Sequence, residues 1–220
     1  MVKLSLRLQT IFDMVAIDSI VADVGSDHGK LMISLYQKGI ISHGYAIENK
    51  KGPFDRLKKA IESEGCIDNI VPLFSDGVTD LPTCVDTVVI AGMGGKTIID
   101  ILKAHPNKLS NVQTLIIDGH SCLPLLRDEI TKMGYNISDE KIIKEDGIFY
   151  EIIKFNKSET AFYSDTEMEF GPILSREKPA LFKEKYSDRI KDIDNLLTKN
   201  LPNDVVSKLL EEKHKLERII

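Results

Sequence analysis

Five short apolar runs recur through the first half of the chain: SIVADVG (residues 19–25), HGYAIE (43–48), NIVPLFS (69–75), DTVVIAG (86–92) and VQTLIID (112–118). Amphipathic stretches separate them, namely HGKLMISLYQKG, a segment from Gly52 or Pro53 to Glu64, and KTIIDILKA, with LPLLRDEITKMG after the fifth run. Runs this apolar belong to strands buried on both faces, and the intervening helices supply the cover. Glycines such as Gly39 and Gly65 fall where the helices must stop. Residues 137–147 and 148–155 then read as a closing hairpin. The expected fold is α/β: a mainly parallel sheet with an antiparallel edge.

After Asn156 the pattern changes. SETAFYSDTEMEFGPILSREKP carries turn residues and little periodicity. Beyond it, Phe182, Tyr186, Ile190, Ile193 and Leu197 form a helical stripe. LPND interrupts, and Val205, Leu209, Leu216 and Ile220 form a second one. These predict a small C-terminal α-helical hairpin with a coiled-coil-like seam. The expected division is residues 1–156 for the α/β domain and 157–220 for the helical one.

A chain of 220 residues with 42% hydrophobic and 29% charged residues has the composition of a globular protein with a proper core. No apolar run approaches the roughly 20 residues of a membrane span, and the start lacks the apolar block of a secretory signal. Cys66, Cys84 and Cys122 are scattered, with no CxxC pair, which argues for a reducing cytoplasm and against a disulfide framework or a metal site. A monomer is expected. The net charge of -5 requires any nucleic-acid partner to be met by a local basic face.

In an open parallel sheet, ligands bind beyond the carboxyl ends of the strands. Here those ends are glycine-rich or acidic. The first is Asp23-Val24-Gly25-Ser26-Asp27-His28-Gly29, where Gly25 permits a tight turn and Gly29 lets a helix start close to the sheet. Glu48, followed by Asn49, closes the second strand and suits two ribose hydroxyls. Asp76-Gly77 follows the third, within reach of an exocyclic amine. Gly92-Met93-Gly94 follows the fourth, a loop able to lie flat along a bulky ligand. Taken singly, each acid also reads as a cap. Together they disfavour a dinucleotide, which needs G-x-G-x-x-G and a bare helix N-terminus for its pyrophosphate. Asp27 occupies the middle glycine position, and a carboxylate there repels phosphate but attracts a sulfonium or an amine. The set fits a cationic nucleoside cofactor, S-adenosylmethionine.

The elements LSLRLQTIFDMV, ADVGSDHGKL, AIENKKGPFDRL, SDGV, IAGMGG, EDGIFYEII and FGPILSREKP, in that order from about Leu4 to Tyr186, resemble the bacterial tRNA adenine-22 N1-methyltransferases. The resemblance implies a Rossmann-like class I methyltransferase domain with a helical C-terminal domain. It further implies methyl transfer from S-adenosyl-L-methionine to N1 of that adenine in the tRNA D-loop. Carried over by motif, Gly25, Ser26, Asp27 and His28 fall on the cofactor turn, with Asp27 the catalytic candidate. Glu48 and Asn49 fall on the ribose site, Asp76 and Gly77 on the adenine-contacting turn, and Gly92, Met93 and Gly94 on the cofactor-binding loop that also flanks the target base. Arg7 matches the LS-x-RL element and is expected to meet tRNA phosphate. Lys51 and Arg56, on the basic second helix, are expected to do the same. Where the family commonly has Gln-Pro after the fifth strand, this chain has Asp118-Gly119-His120, so base recognition on that side differs. The competing readings are a class I methyltransferase with another substrate and a tRNA-binding module without transfer.

Overall fold

The computed structural model of the protein describes residues 2–158 and 161–220; the expected boundary stretch SETAFY thus lies partly outside them. Helix α1 (Leu6–Met14) leads into five parallel strands, β1 (Val21–Val24), β2 (Gly44–Glu48), β3 (Ile70–Phe74), β4 (Thr87–Met93) and β5 (Thr114–Gly119). The connecting helices are α2 (Lys30–Gln37), α3 (Lys51–Ser63) and α4 (Gly95–Ala104), and α5 (Leu123–Lys132) follows β5. The long hairpin β6 (Tyr135–Glu145) and β7 (Ile148–Lys157) closes the sheet, whose order is β3-β2-β1-β4-β5-β7-β6 with β7 antiparallel to both neighbours. The expected mixed Rossmann-like sheet is therefore present. Pro72, which has no N–H for a ladder, sits on β3, an edge strand paired only with β2.

Side chains alternate between two cores, as strand geometry requires. Val88 and Ile90 of β4, with Leu115 and Ile117 of β5, pack on Ile98 and Leu102 of α4 and on Leu126 and Ile130 of α5. Val89 and Ile116, one residue out of step, pack on the other face with Ile11 of α1, Leu31 of α2 and Leu57 of α3. Asp23 falls between apolar neighbours on β1, and the loops after β1 and β4 part where strand order reverses. That reversal is the expected ligand crevice.

The stretch read as irregular contains two short helices, α6 (Asp165–Phe170) and α7 (Pro172–Glu177). Ser164 caps the first: its hydroxyl accepts from the Glu167 N–H, and the Glu167 carboxylate accepts from the Ser164 N–H. Gly171 (φ +85°) separates them because a Cβ there would lie 2.5 Å from Glu140 Oε1. The stripes form α8 (Ala180–Leu197) and α9 (Asn203–Ile219), which share a core of Phe182, Tyr186, Ile193 and Leu216 with Phe170, Leu174 and Ile142 of β6.

A buried ion cluster ties these helices to the sheet. Arg127 of α5, fully buried, donates to Glu140 (2.9 Å) and Glu151 (2.6 Å), and also to the carbonyls of Met168 and Glu169. Glu140 also accepts from the Ile173 and Leu174 N–H groups, at the start of α7. Burial raises the Glu140 pKa despite Arg127. Burial works the same way on Glu151, but Arg127 and a second cation, Lys185 of α8, outweigh it and hold Glu151 low.

Candidate active site

The turn after β1 is shaped by backbone. The N–H groups of Gly25 and Ser26 both donate to the Ile47 carbonyl, at 2.9 and 3.0 Å. Gly25 has φ +76°, and a Cβ on it would strike the Met93 methyl at 2.3 Å. A single 3-10 turn, Asp27–Gly29, follows before α2 begins. His28 (φ +56°) and Gly29 are both left-handed, so the turn holds a non-glycine residue in a costly conformation. The His28 ring leans 3.3 Å from the Asp27 carboxylate. Gly29 serves close packing, but against Leu57 and Ile61 of α3 rather than the sheet.

The second and third tips are bridged. Glu48 Oε1 accepts from the N–H groups of Asn49 (3.0 Å) and Lys50 (2.9 Å), while its second oxygen has no partner among the described residues. Asn49 donates from Nδ2 to Asp76 at 2.7 Å. Gly77 (φ +56°) lies against Ile101 of α4.

Together these tips wall a cavity of about 800 Å³ lined by Gly25, Asp27, Glu48, Asn49, Asp76, Gly77, Gly92, Met93 and Arg56. A second lobe of about 370 Å³ shares Gly25, Asp27 and Gly92 and adds Ser5, Arg7, Asp23 and Lys30. Ser26 is buried behind the turn, its Oγ outside good hydrogen-bond geometry for any neighbour, and His28 and Gly94 lie off the cavity wall. Lys51 also lies off it, exposed, paired with Asp55 at 2.8 Å and set over the Phe54 ring.

Two carboxylates stand out: Asp23, to which sequence patterning gave no role, and Asp118, expected to bear on base recognition. Asp23 lines the smaller lobe although only 7% exposed, and burial pushes its carboxyl up to about 6 against the opposing pull of Ser26 and Arg7. Asp118 is fully buried, with Oδ1 unpaired and Oδ2 taken by Arg7 Nη1 at 2.6 Å. Arg7 also sits over the Tyr150 ring and against Gly92, where a Cβ would be 3.2 Å from Nη1. Arg7, expected to meet tRNA phosphate, thus braces β5 against the loop after β4. Of the unusual tripeptide, Asp118 is closed off from any base, whereas His120 is exposed.

A family model for tRNA (adenine(22)-N(1))-methyltransferase, TrmK, matches residues 21–220. The chain belongs to this family. The Bacillus subtilis tRNA (adenine(22)-N(1))-methyltransferase is 31% identical over 200 residues, covering 88% of this chain and 84% of the relative. Among solved structures, the Streptococcus pneumoniae protein Sp1610 in complex with S-adenosyl-L-methionine superposes with a TM-score of 0.91 at 29% identity, covering 99% of both chains. M. capricolum TrmK in complex with S-adenosyl-homocysteine gives 0.84 at 28%, covering 98% and 96%. Among the described residues no His, Cys, Asp and Glu cluster could hold a metal ion, and no helix is long and apolar enough to cross a membrane.

Proposed function

We propose that this protein transfers the methyl group of S-adenosylmethionine to N1 of adenine 22 in tRNA. The observation that carries the reading is the two-lobed cavity at the strand-order reversal, walled by four strand-tip carboxylates: Asp23, Asp27, Glu48 and Asp76. Such a wall repels phosphate and suits a ligand bearing a sulfonium and an ammonium. The residues fit that donor in detail. Gly25 leaves room that a Cβ would fill, Glu48, which lines the larger lobe, keeps one oxygen for ribose hydroxyls, and Asp76 takes an adenine amine. In the smaller lobe Arg7 and Lys30 suit a carboxylate, and Asp23 an ammonium. Ser26, His28 and Gly94 shape the turns that hold these groups.

S-adenosylmethionine supplies, when bound, an electrophilic methyl group on a positively charged sulfur. N1 of neutral adenine carries an in-plane lone pair, so no residue need remove a proton, and the protein's work is alignment. Gly92 and Met93 form the wall against which the base is aligned. As N1 gains its methyl, positive charge spreads to the exocyclic amine. Asp27, common to both lobes, accepts from that amine and stabilises the charge more in the transition state than before it. The adenine must leave its stack to be reached. Lys51 and Arg56, with the neighbouring basic residues of α3, contribute phosphate attraction. The helices beyond residue 157 guide the RNA by shape, and the enzyme acts as a cytoplasmic monomer.

The test is mass mapping of methylation on an unmodified tRNA transcript incubated with donor. One added methyl at adenine 22, lost when that base is guanine, is the expected result. Transfer elsewhere, or none, overturns the proposal.

A further inference from the structure

A second cleft, of about 460 Å³, opens on the β5 side of the donor cavity, between the loop after β5, the β6–β7 turn and α8. Its volume is that of a small-molecule site, and no residue that lines it also lines either donor lobe. A backbone hydrogen bond joins their walls: the His120 N–H donates to the Met93 carbonyl at 2.9 Å, and Met93 lines the donor cavity. A group seated in the cleft is therefore beside the reacting centre without touching the donor.

The lining has the chemistry of a nucleobase seat. His120, with its side chain 43% exposed, packs edge-on to Tyr150 with ring centroids 5.5 Å apart, and Phe149 and Tyr186 complete an aromatic wall. Base stacking on such side chains is the commonest way proteins hold an unstacked RNA nucleotide. Among the described residues the His120 ring makes no hydrogen bond, its Nε2 lying 3.7 Å from Asp118 Oδ2. The Tyr186 hydroxyl has no partner among the described residues. Lys185 and Glu151, which also line the cleft, are paired with each other, and Glu169 adds a carboxylate to the rim, so the seat recognises a base by stacking rather than by attraction for phosphate.

We infer that this cleft binds a second nucleoside of the RNA, adjacent in the chain to the methyl-accepting adenosine and stacked against His120 and Tyr150. The inference rests on tRNA being the substrate. Because the two cavities share no lining residue, the acceptor is assigned to the donor cavity and its neighbour to the cleft. Opening the stack to expose one adenine leaves a neighbour without its partner, and the cleft holds that neighbour.

The test uses the full-length protein, its tRNA transcript and S-adenosylhomocysteine, with RNA affinity measured by filter binding and donor-product affinity by calorimetry. His120→Ala is expected to weaken tRNA binding about tenfold, the loss of one stacked base. Donor-product affinity and kcat should be unchanged, and His120→Phe should recover most of the RNA affinity. Tyr186→Phe, which keeps the ring and the core, should give a smaller loss of the same kind. His120→Ala binding within twofold of wild type overturns the inference, as does a fall in kcat with unchanged KM, which would put the acceptor there. If the wild-type protein methylates tRNA while His120→Ala binds it normally, this inference alone fails. If the wild type binds donor but no tRNA, the functional proposal fails with it.

Discussion

Asp23 makes donor binding depend on pH in a way that can be worked out in advance. Its carboxyl is buried in the smaller lobe and titrates at about 6 instead of 3.8. Only the ionised form attracts an ammonium, and it makes up about one tenth of the population at pH 5 and nine tenths at pH 7. The α-amino group of the donor stays protonated below about pH 7.7, so the protein supplies the titration. S-adenosylmethionine affinity should therefore rise about tenfold from pH 5 to pH 7, with a proton released on binding at the lower pH. Titration calorimetry in two buffers of different ionisation enthalpy reads both quantities. Asp23→Asn should bind weakly and with a flat profile. The same group has a stability consequence of the opposite sense. Because its folded value lies above its unfolded one, the folded chain holds the extra proton between about pH 4 and 6, and stability falls as pH rises through that window, by up to about 3 kcal/mol. Asp23→Asn should remove that fall. A pH-independent affinity in the wild type, or an unchanged profile in Asp23→Asn, would refute the reasoning.

Glu48→Ala should weaken donor binding by about 1–3 kcal/mol, since one oxygen braces the loop and the other is kept for ribose; unaltered calorimetric affinity would leave the acid a brace alone. Asp27→Ala should fold and bind donor but transfer no methyl to a tRNA transcript, and full turnover in that variant removes Asp27 from the chemistry. Arg7→Ala leaves the fully buried Asp118 without its hydrogen-bonded cation and should cost about 3–5 kcal/mol in chemical denaturation. Adding Asp118→Asn to that variant should restore a large part of the loss; no restoration would show that Arg7 acts through its other contacts.

Much of this architecture was legible because strands buried on both faces leave unbroken apolar runs, and every expected strand is present. The order β3-β2-β1-β4-β5-β7-β6 was not, since nothing local in a strand names its neighbour. The helices α6 and α7 were missed although Ser164 and Glu167 form a capping box, a signal present in the letters but followed by only six residues of helix. Asp23 was quoted but given no role, because inside an apolar strand a carboxylate carries no pattern of its own. Arg127 was invisible for a related reason. A charged residue on an amphipathic helix reads as exposed, and only the convergence of Glu140 and Glu151 from two hairpin strands makes its burial tolerable. Arg7 was singled out by motif and does lie in the N-terminal helix, but sequence shows its charge and not the buried Asp118 that it pairs with. The glycine and acid pattern at the tips fared best, because most of those residues wall one cavity.

A crystal structure of the protein soaked with S-adenosylmethionine bears most directly on the idea that clustered negative charge receives a cationic donor. The ligand should run through both lobes, its ribose on Glu48 and its amino group at Asp23. Density on the far side of the sheet, or a donor whose carboxylate faces Asp23 and whose amine faces Arg7, would contradict it.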